Sequence, residues 1–252
     1  MASVITKIVG GRVLYWNSGE PWKYQRNFAR DYFEKMVYRL ITFLVTGTEG
    51  MKKQYAEHYE ISENKIKVMP NWINLEDLKS QIPALPAGRS NLKSDELLKK
   101  LDIKKEQKVI LFVHRLSKRK GAHYLLEIIK HLNVQTPNSN FVILIIGDGP
   151  EREALNLQLT TYNLQHRVRF LGWVPNNQLP NYYSIADVFL MPSDEEGFPH
   201  VLLETMAFGL PFVASDVGGV REIVPKSMYN YLVDAGDISG YATKISQLAA
   251  LP

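Results

Sequence analysis

The chain has no cysteine. A disulfide scaffold, a thiolate zinc site and dithiol redox chemistry are thereby excluded. No apolar run reaches the roughly 18 residues that a membrane-crossing helix needs. Met1 to Gly10 lack the charged, apolar and small-residue order of a secretory leader. There is no Gly-x-Ser-x-Gly elbow, no Walker-type Gly-Lys-Ser/Thr and no Asp-x-Asp cation clamp. The six histidines show no paired helical spacing, so no metal site is expected. A cytoplasmic setting fits these absences.

What is present is ordinary globular material. Of 252 residues, 45% are hydrophobic and 22% charged, enough to build a sizeable core. The net charge is +4 and unevenly placed. Met1 to Leu75 hold 11 Lys/Arg against 7 Asp/Glu, and the remainder is balanced at 19 against 19. So small an excess does not argue for nucleic acid, and none is expected as a partner. A basic, aromatic-rich first third suits a phosphorylated substrate or peripheral contact with an anionic membrane face.

Periodicity divides the chain. Residues 12–16 read as a strand, 23–40 as a helix, 41–46 as a buried strand, 49–59 as a second helix and 65–69 as a strand. Phe28, Tyr32, Met36 and Leu40 recur every four residues and are expected to face a core. Residues 70–94 carry three prolines and no clean period, which marks a linker. Beyond it, strand-like runs at 108–114, 141–146, 167–171, 187–191, 211–214 and 229–233 alternate with helical runs. Those helices are placed near 122–133, 150–163, 176–185, 200–208 and 237–249. Continuous apolar strands between helices predict an α/β fold with a parallel sheet covered on both faces. Such sheets bind ligands at the carboxyl ends of their strands.

The loops after those strands carry the chemistry. Arg115 to Lys120 hold four cations in six residues, a set suited to phosphate oxygens or to a solvated turn. Gly147 and Gly149 in Ile-Gly-Asp-Gly-Pro let backbone pass near a ligand or turn sharply. In Asp194-Glu195-Glu196-Gly197-Phe198-Pro199, three acids precede a glycine and a helix start, whose free N–H groups suit an anion. Glu204 lies about 6 Å further along that helix at 1.5 Å per residue. A diphosphate on the helix end would leave its ribose near that carboxylate. Gly218 and Gly219 form a further turn or phosphate cradle. Glu196 and Glu204 could also suggest a glycosidase pair, but placement at a helix start beside a basic loop fits a phosphate-bearing donor better.

In this order, the segments Phe112–Gly121, Ile146–Pro150, Phe170–Val174, Ala186–Pro192, Glu196-x7-Glu204 and Ser215–Glu222 resemble the donor-binding domain of glycosyltransferase family 4, the large retaining GT-B family. Pro70-Asn-Trp-Ile-Asn74 is similar to the segment that ends the family's first domain. The resemblance implies a GT-B fold with a Rossmann-like donor domain over 108–252. It further implies a partial, acceptor-side N-terminal domain over 1–75, with 76–107 as linker and lead-in. It implies sugar transfer from a UDP- or GDP-linked donor to a carbohydrate, lipid or other hydroxyl acceptor, with retention and no essential metal.

The resemblance also implies roles. Arg115 and Lys120 would hold the diphosphate, and Glu196 would meet the donor sugar. Backbone N–H groups of Phe198, His200 and Val201, beside Gly197, would meet sugar and phosphate. Glu204 would bind ribose, Val174 the base, and Gly147, Gly149, Gly218 and Gly219 would line the donor pocket. Departures are visible. Asn17-Ser18-Gly19 stand where many members place a histidine, and His114 replaces a common glycine. The competing reading is a nucleotide-sugar-binding module without catalysis. A GT-B epimerase fits the Glu196-x7-Glu204 motif less well.

Overall fold

The computed structural model describes residues 11–17, 19–23, 27–70, 92–135 and 140–250. Much of the expected linker, and residues 71–74 of the Pro70 segment, lie outside the described residues. Two compact units are present. The first comprises Met1–Trp72, Glu195–Pro199 and Gly218–Val224; the second comprises Ile73–Asp194, His200–Val217 and Pro225–Pro252.

In the first unit, β1 (Leu14–Trp16), β2 (Phe43–Thr46) and β3 (Ile66–Val68) form a parallel sheet in that order. Leu14 pairs with Phe43, and Leu44 with Ile66. Helix α1 (Phe28–Leu40) begins where the Asn27 side chain accepts the Arg30 N–H at 2.9 Å. Helix α2 (Glu49–Tyr59) begins where Thr48 Oγ1 accepts the Met51 N–H at 3.1 Å. The core is aromatic: the Tyr38 and Tyr59 rings lie 4.1 Å apart, and Trp22 meets Tyr55 edge-on at 4.9 Å.

This unit corrects one expectation. Phe28 is 87% exposed and Tyr32 66%, while Met36 and Leu40 are half-buried, so the first half of the stripe does not face the core and no residue of it is fully buried. The inward residue of α1 is Tyr38, about 140° around the helix from that stripe. The Tyr38 ring packs at a tilt against Tyr59, and its hydroxyl accepts a hydrogen bond from the Asn17 amide at 3.1 Å. A partnered, two-sided aromatic contact fixes the helix rotation more strongly than the apolar stripe does.

The second unit holds α3 (Leu92–Lys100), β4 (Lys108–Val113), α4 (Leu125–Gln135), β5 (Phe141–Ile146), α5 (Arg152–Thr161), β6 (Val168–Gly172), α6 (Leu179–Ile185), β7 (Val188–Met191), α7 (His200–Ala207), β8 (Phe212–Ser215), β9 (Leu232–Val233) and α9 (Ile238–Ala249). The short helix α8 (Val220–Ile223) belongs to the first unit. The six strands are parallel in the order β6-β5-β4-β7-β8-β9. β5 is buried along its whole length, as a strand covered on both faces must be. Ile110, Phe112, Ile143, Ile145, Leu190 and Val213 pack with α4, α5 and α9 in one core. The alternate residues Leu111, Leu144 and Phe189 are equally buried on the opposite face, where α6 packs on β4 and on α3.

The expected parallel α/β architecture is therefore present. Helix α3 was not foreseen, because its few apolar positions sit among lysines and acids. The strand expected from 229 is confined to Leu232–Val233, since Lys226–Tyr231 wind into a 3-10 helix. Among the described residues no helix is long and apolar enough to cross a membrane.

Candidate functional site

The chain runs from β4 outward to β5 and β6, then returns to lay β7 against the other side of β4. That reversal is the topological switch point at which open α/β sheets bind ligands. The two strands that flank it feed one loop with clustered cations and one with clustered acids. The loop after β4 carries Arg115 to Lys120, and the loop after β7 carries Asp194, Glu195 and Glu196.

In the first loop Arg115 is exposed and Lys120 half-buried, the latter within the 3-10 turn Lys118–Lys120. The loop is braced by the one after β5. The Leu116 N–H donates to the Asp148 carbonyl at 3.0 Å, and the Glu151 N–H donates to the Leu116 carbonyl at 3.1 Å. Gly147 and Gly149 lie directly against the carbonyls of His114 and Leu116, which bracket Arg115. The Asp148 carboxylate accepts the Gly149 N–H at 2.7 Å and pairs with Arg152 at 2.6 Å. Those two contacts, the backbone one first, hold its carboxyl below the ordinary value. Val174 is buried just beyond β6, two strands along the sheet from β4, and follows the exposed Trp173.

Helix α7 presents the second group. His200 is exposed at its first position, Val201 is half-buried, and Glu204 lies one turn in. The Tyr183 hydroxyl, on α6, donates to Glu204 Oε2 at 2.9 Å. Tyr183 is 3% exposed and its ring stacks on Phe208 at 5.0 Å. Burial raises the Glu204 carboxyl above its ordinary value, while the Tyr183 hydrogen bond and nearby His200 pull it down. Burial, then Glu204, pushes the Tyr183 phenol well above its ordinary value.

Within the first unit, Glu195 and Glu196 are buried. Glu195 Oε1 accepts the Glu20 N–H at 2.7 Å. Glu196 is gripped through its backbone: its carbonyl accepts the Gly219 N–H at 3.1 Å, and Gly218 sits flush on the same carbonyl oxygen. Gly219 in turn abuts the Gly197 carbonyl, and half-buried Phe198 lies over Gly47. Sequence reasoning assigned Gly218 and Gly219 to a phosphate pocket; their contacts in this unit are with the backbone that carries Glu196. Glu222 accepts the N–H groups of Glu49 and Gly50 at 2.9 and 2.8 Å, and so caps α2 with a carboxylate.

Three residues near these loops escaped sequence reasoning: Tyr183, Tyr124 and Asp194 as a hydrogen-bonding side chain. Each acts through a partner distant in sequence, and no local spacing announces that. Among the described residues no group of three or more His, Asp or Glu could hold a metal ion.

Comparison with known proteins adds an independent line. A family model described as glycosyl transferases group 1 matches residues 93–252. An uncharacterised 41.2 kDa protein of the cps region of Klebsiella pneumoniae is 33% identical over 177 residues, covering 70% of this chain and 44% of the relative. A UDP-Gal:alpha-D-GlcNAc-diphosphoundecaprenol alpha-1,3-galactosyltransferase of Escherichia coli is 34% identical over 180 residues, covering 70% of this chain and 43% of the relative. The chain thus spans less than half the length of these curated relatives. Among solved structures, Anabaena HepE in complex with UDP and glucose superposes with a TM-score of 0.81 at 21% identity, over 99% of this chain and 65% of that one. Sucrose-phosphate synthase from Thermosynechococcus elongatus gives 0.77 at 21% identity, over 99% and 62%. At these identities the two structures speak to the fold.

Proposed function

Because the chain belongs to the glycosyl transferases group 1 family, we propose that it is the donor-handling part of a retaining enzyme of the family 4 type. In this reading it takes a UDP- or GDP-linked sugar and passes the sugar to an acceptor hydroxyl. The observation that carries the reading lies within the second unit: the basic Arg115–Lys120 loop on β4 at the switch point, and Glu204, bonded by Tyr183, on the helix that comes after β7. The E. coli relative, named for a UDP-galactose donor, and the HepE structure, crystallised with UDP, support the donor class.

Arg115 and Lys120 then bind the diphosphate, and the N–H groups of His200 and Val201 at the start of α7, with that of Phe198 in the preceding loop, add backbone donors. Glu204, oriented by Tyr183, accepts the ribose hydroxyls, and the backbone at Val174 meets the base. Glu196 meets the donor sugar. In the reaction, the bond between the anomeric carbon and the β-phosphate oxygen breaks, and its electron pair leaves with the diphosphate. The acceptor oxygen bonds to the same face of that carbon, and its proton passes to the departing phosphate oxygen. Charge stabilisation by Arg115 and Lys120 supplies the main acceleration, with no metal required. The acceptor is a carbohydrate, lipid or other hydroxyl, and peripheral membrane contact through the first third belongs to this reading.

Calorimetric titration with UDP and GDP tests it. We expect binding by at least one of them, undiminished by EDTA. Arg115→Ala or Lys120→Ala should weaken it about 10–100-fold, as loss of a charge-assisted phosphate contact does. Absence of binding to both nucleotides, or indifference to both substitutions, would overturn the proposal. Retention is read from the anomeric coupling of the transferred sugar by NMR.

A further inference from the structure

The basic turn of the second unit meets the loop after β7 at Asp194, a residue with no assigned role, whose backbone bonds the turn and whose carboxylate holds the segment that follows it. Asp194, the last residue of that loop inside the unit, makes contacts in three directions. Its backbone N–H donates to the Arg119 carbonyl at 3.0 Å. Its Oδ1 accepts the Tyr124 hydroxyl at 2.7 Å, and its Oδ2 lies 3.7 Å from His123 Nε2. The His123 and Tyr124 rings pack 3.8 Å apart. Burial, and then Asp194, pushes the Tyr124 phenol up to about 12. Between these anchors the turn closes on itself. The Lys120 N–H donates to the Ser117 carbonyl at 3.0 Å, and the Gly121 N–H donates to the Lys118 carbonyl at 2.7 Å. Gly121 has φ +72 and lies against the Pro192 carbonyl, where no Cβ fits.

Lys120 is therefore framed on both sides by residues bonded to or packed on Pro192–Asp194. A lysine side chain is long and rich in rotamers, and it is a poor anchor unless its backbone is fixed. We propose that Asp194 and Tyr124 are positioning residues: they lock the Lys118–Gly121 turn to the β7 loop, so that the Lys120 ammonium is preset for the second phosphate of a nucleoside diphosphate. This rests on the reading of Lys120 as a diphosphate ligand, and it assigns neither residue contact with the substrate.

The test compares UDP with UMP, and GDP with GMP, by calorimetry on the full chain. A fixed Lys120 favours the diphosphate over the monophosphate. In Asp194→Ala and in Tyr124→Phe that preference should fall about tenfold while monophosphate affinity holds. Asp194→Asn, whose amide oxygen still accepts the Tyr124 hydroxyl, should restore most of it. Tyr124→Phe removes a single oxygen and keeps the ring packing, so it serves where Asp194→Ala fails to fold. An unchanged preference in folded Asp194→Ala and Tyr124→Phe overturns the proposal. So does a parallel loss of mono- and diphosphate binding, which would indicate a general structural role. Failure of the underlying reading looks different: Lys120→Ala itself would leave the preference untouched.

Discussion

Tyr183→Phe isolates one hydroxyl. It removes the 2.9 Å hydrogen bond to Glu204 and keeps the ring that stacks on Phe208. A hydrogen bond to a charged group contributes about 1.5–3 kcal/mol. Glu204 is only half-buried, so water replaces part of that, and about 1–2 kcal/mol is the expected loss. For a protein of this size the melting temperature should fall about 2–8 °C. The pH dependence carries the sharper test. Glu204 is raised above the ordinary value of 4.5, so the folded chain holds this proton more tightly than the unfolded chain. Stability from this group is therefore full below 4.5 and is lost as pH climbs through the raised value. The Tyr183 hydroxyl opposes the rise by favouring the carboxylate. Its removal pushes Glu204 higher still and should destabilise the protein more at pH 7 than at pH 4. Calorimetric melts of wild type, Tyr183→Phe, Glu204→Gln and the double variant at both pH values check this. The pH difference should vanish in the Glu204→Gln background. Equal destabilisation at both pH values, or full additivity in the cycle, would refute the reasoning.

Two further outcomes follow from the first unit. Gly218 has φ +52 and abuts the Glu196 carbonyl, so Gly218→Ala must displace the backbone of one of the two loops. It should cost more than about 1 kcal/mol in thermal unfolding; a neutral variant would show that the close approach of Gly218 to the Glu196 carbonyl is not needed for stability. The outward-turned first half of the α1 stripe makes the opposite prediction. Phe28→Ser and Tyr32→Ser should change stability by no more than about 0.5 kcal/mol, as exposed positions do, and a loss of several kcal/mol would mean that those rings are covered in solution.

What could be read from the sequence follows a physical rule. The strands were legible because a doubly covered parallel strand must be apolar throughout, and Phe141–Ile146 or Lys108–Val113 admit almost no other reading. The positions of the loops were legible because clustered charges and glycines break the apolar strand runs. Helix rotation was not. Phe28, Tyr32, Met36 and Leu40 make a better apolar stripe than the side that carries Tyr38, yet Tyr38 is the buried residue. Periodicity counts apolar atoms on a face, whereas Tyr38 is held by a ring 4.1 Å away and an amide 21 residues back. The same limit applies to the candidate site. Glu204, Arg115 and Lys120 declare themselves by type and position. Tyr183 and Asp194 do not, because a side chain that holds another is defined by its partner, and that partner appears only when folding brings separate helices or loops together. The residues that set geometry are thus the least visible in sequence. They are also the ones whose conservative variants, Tyr183→Phe and Asp194→Asn, separate positioning from contact.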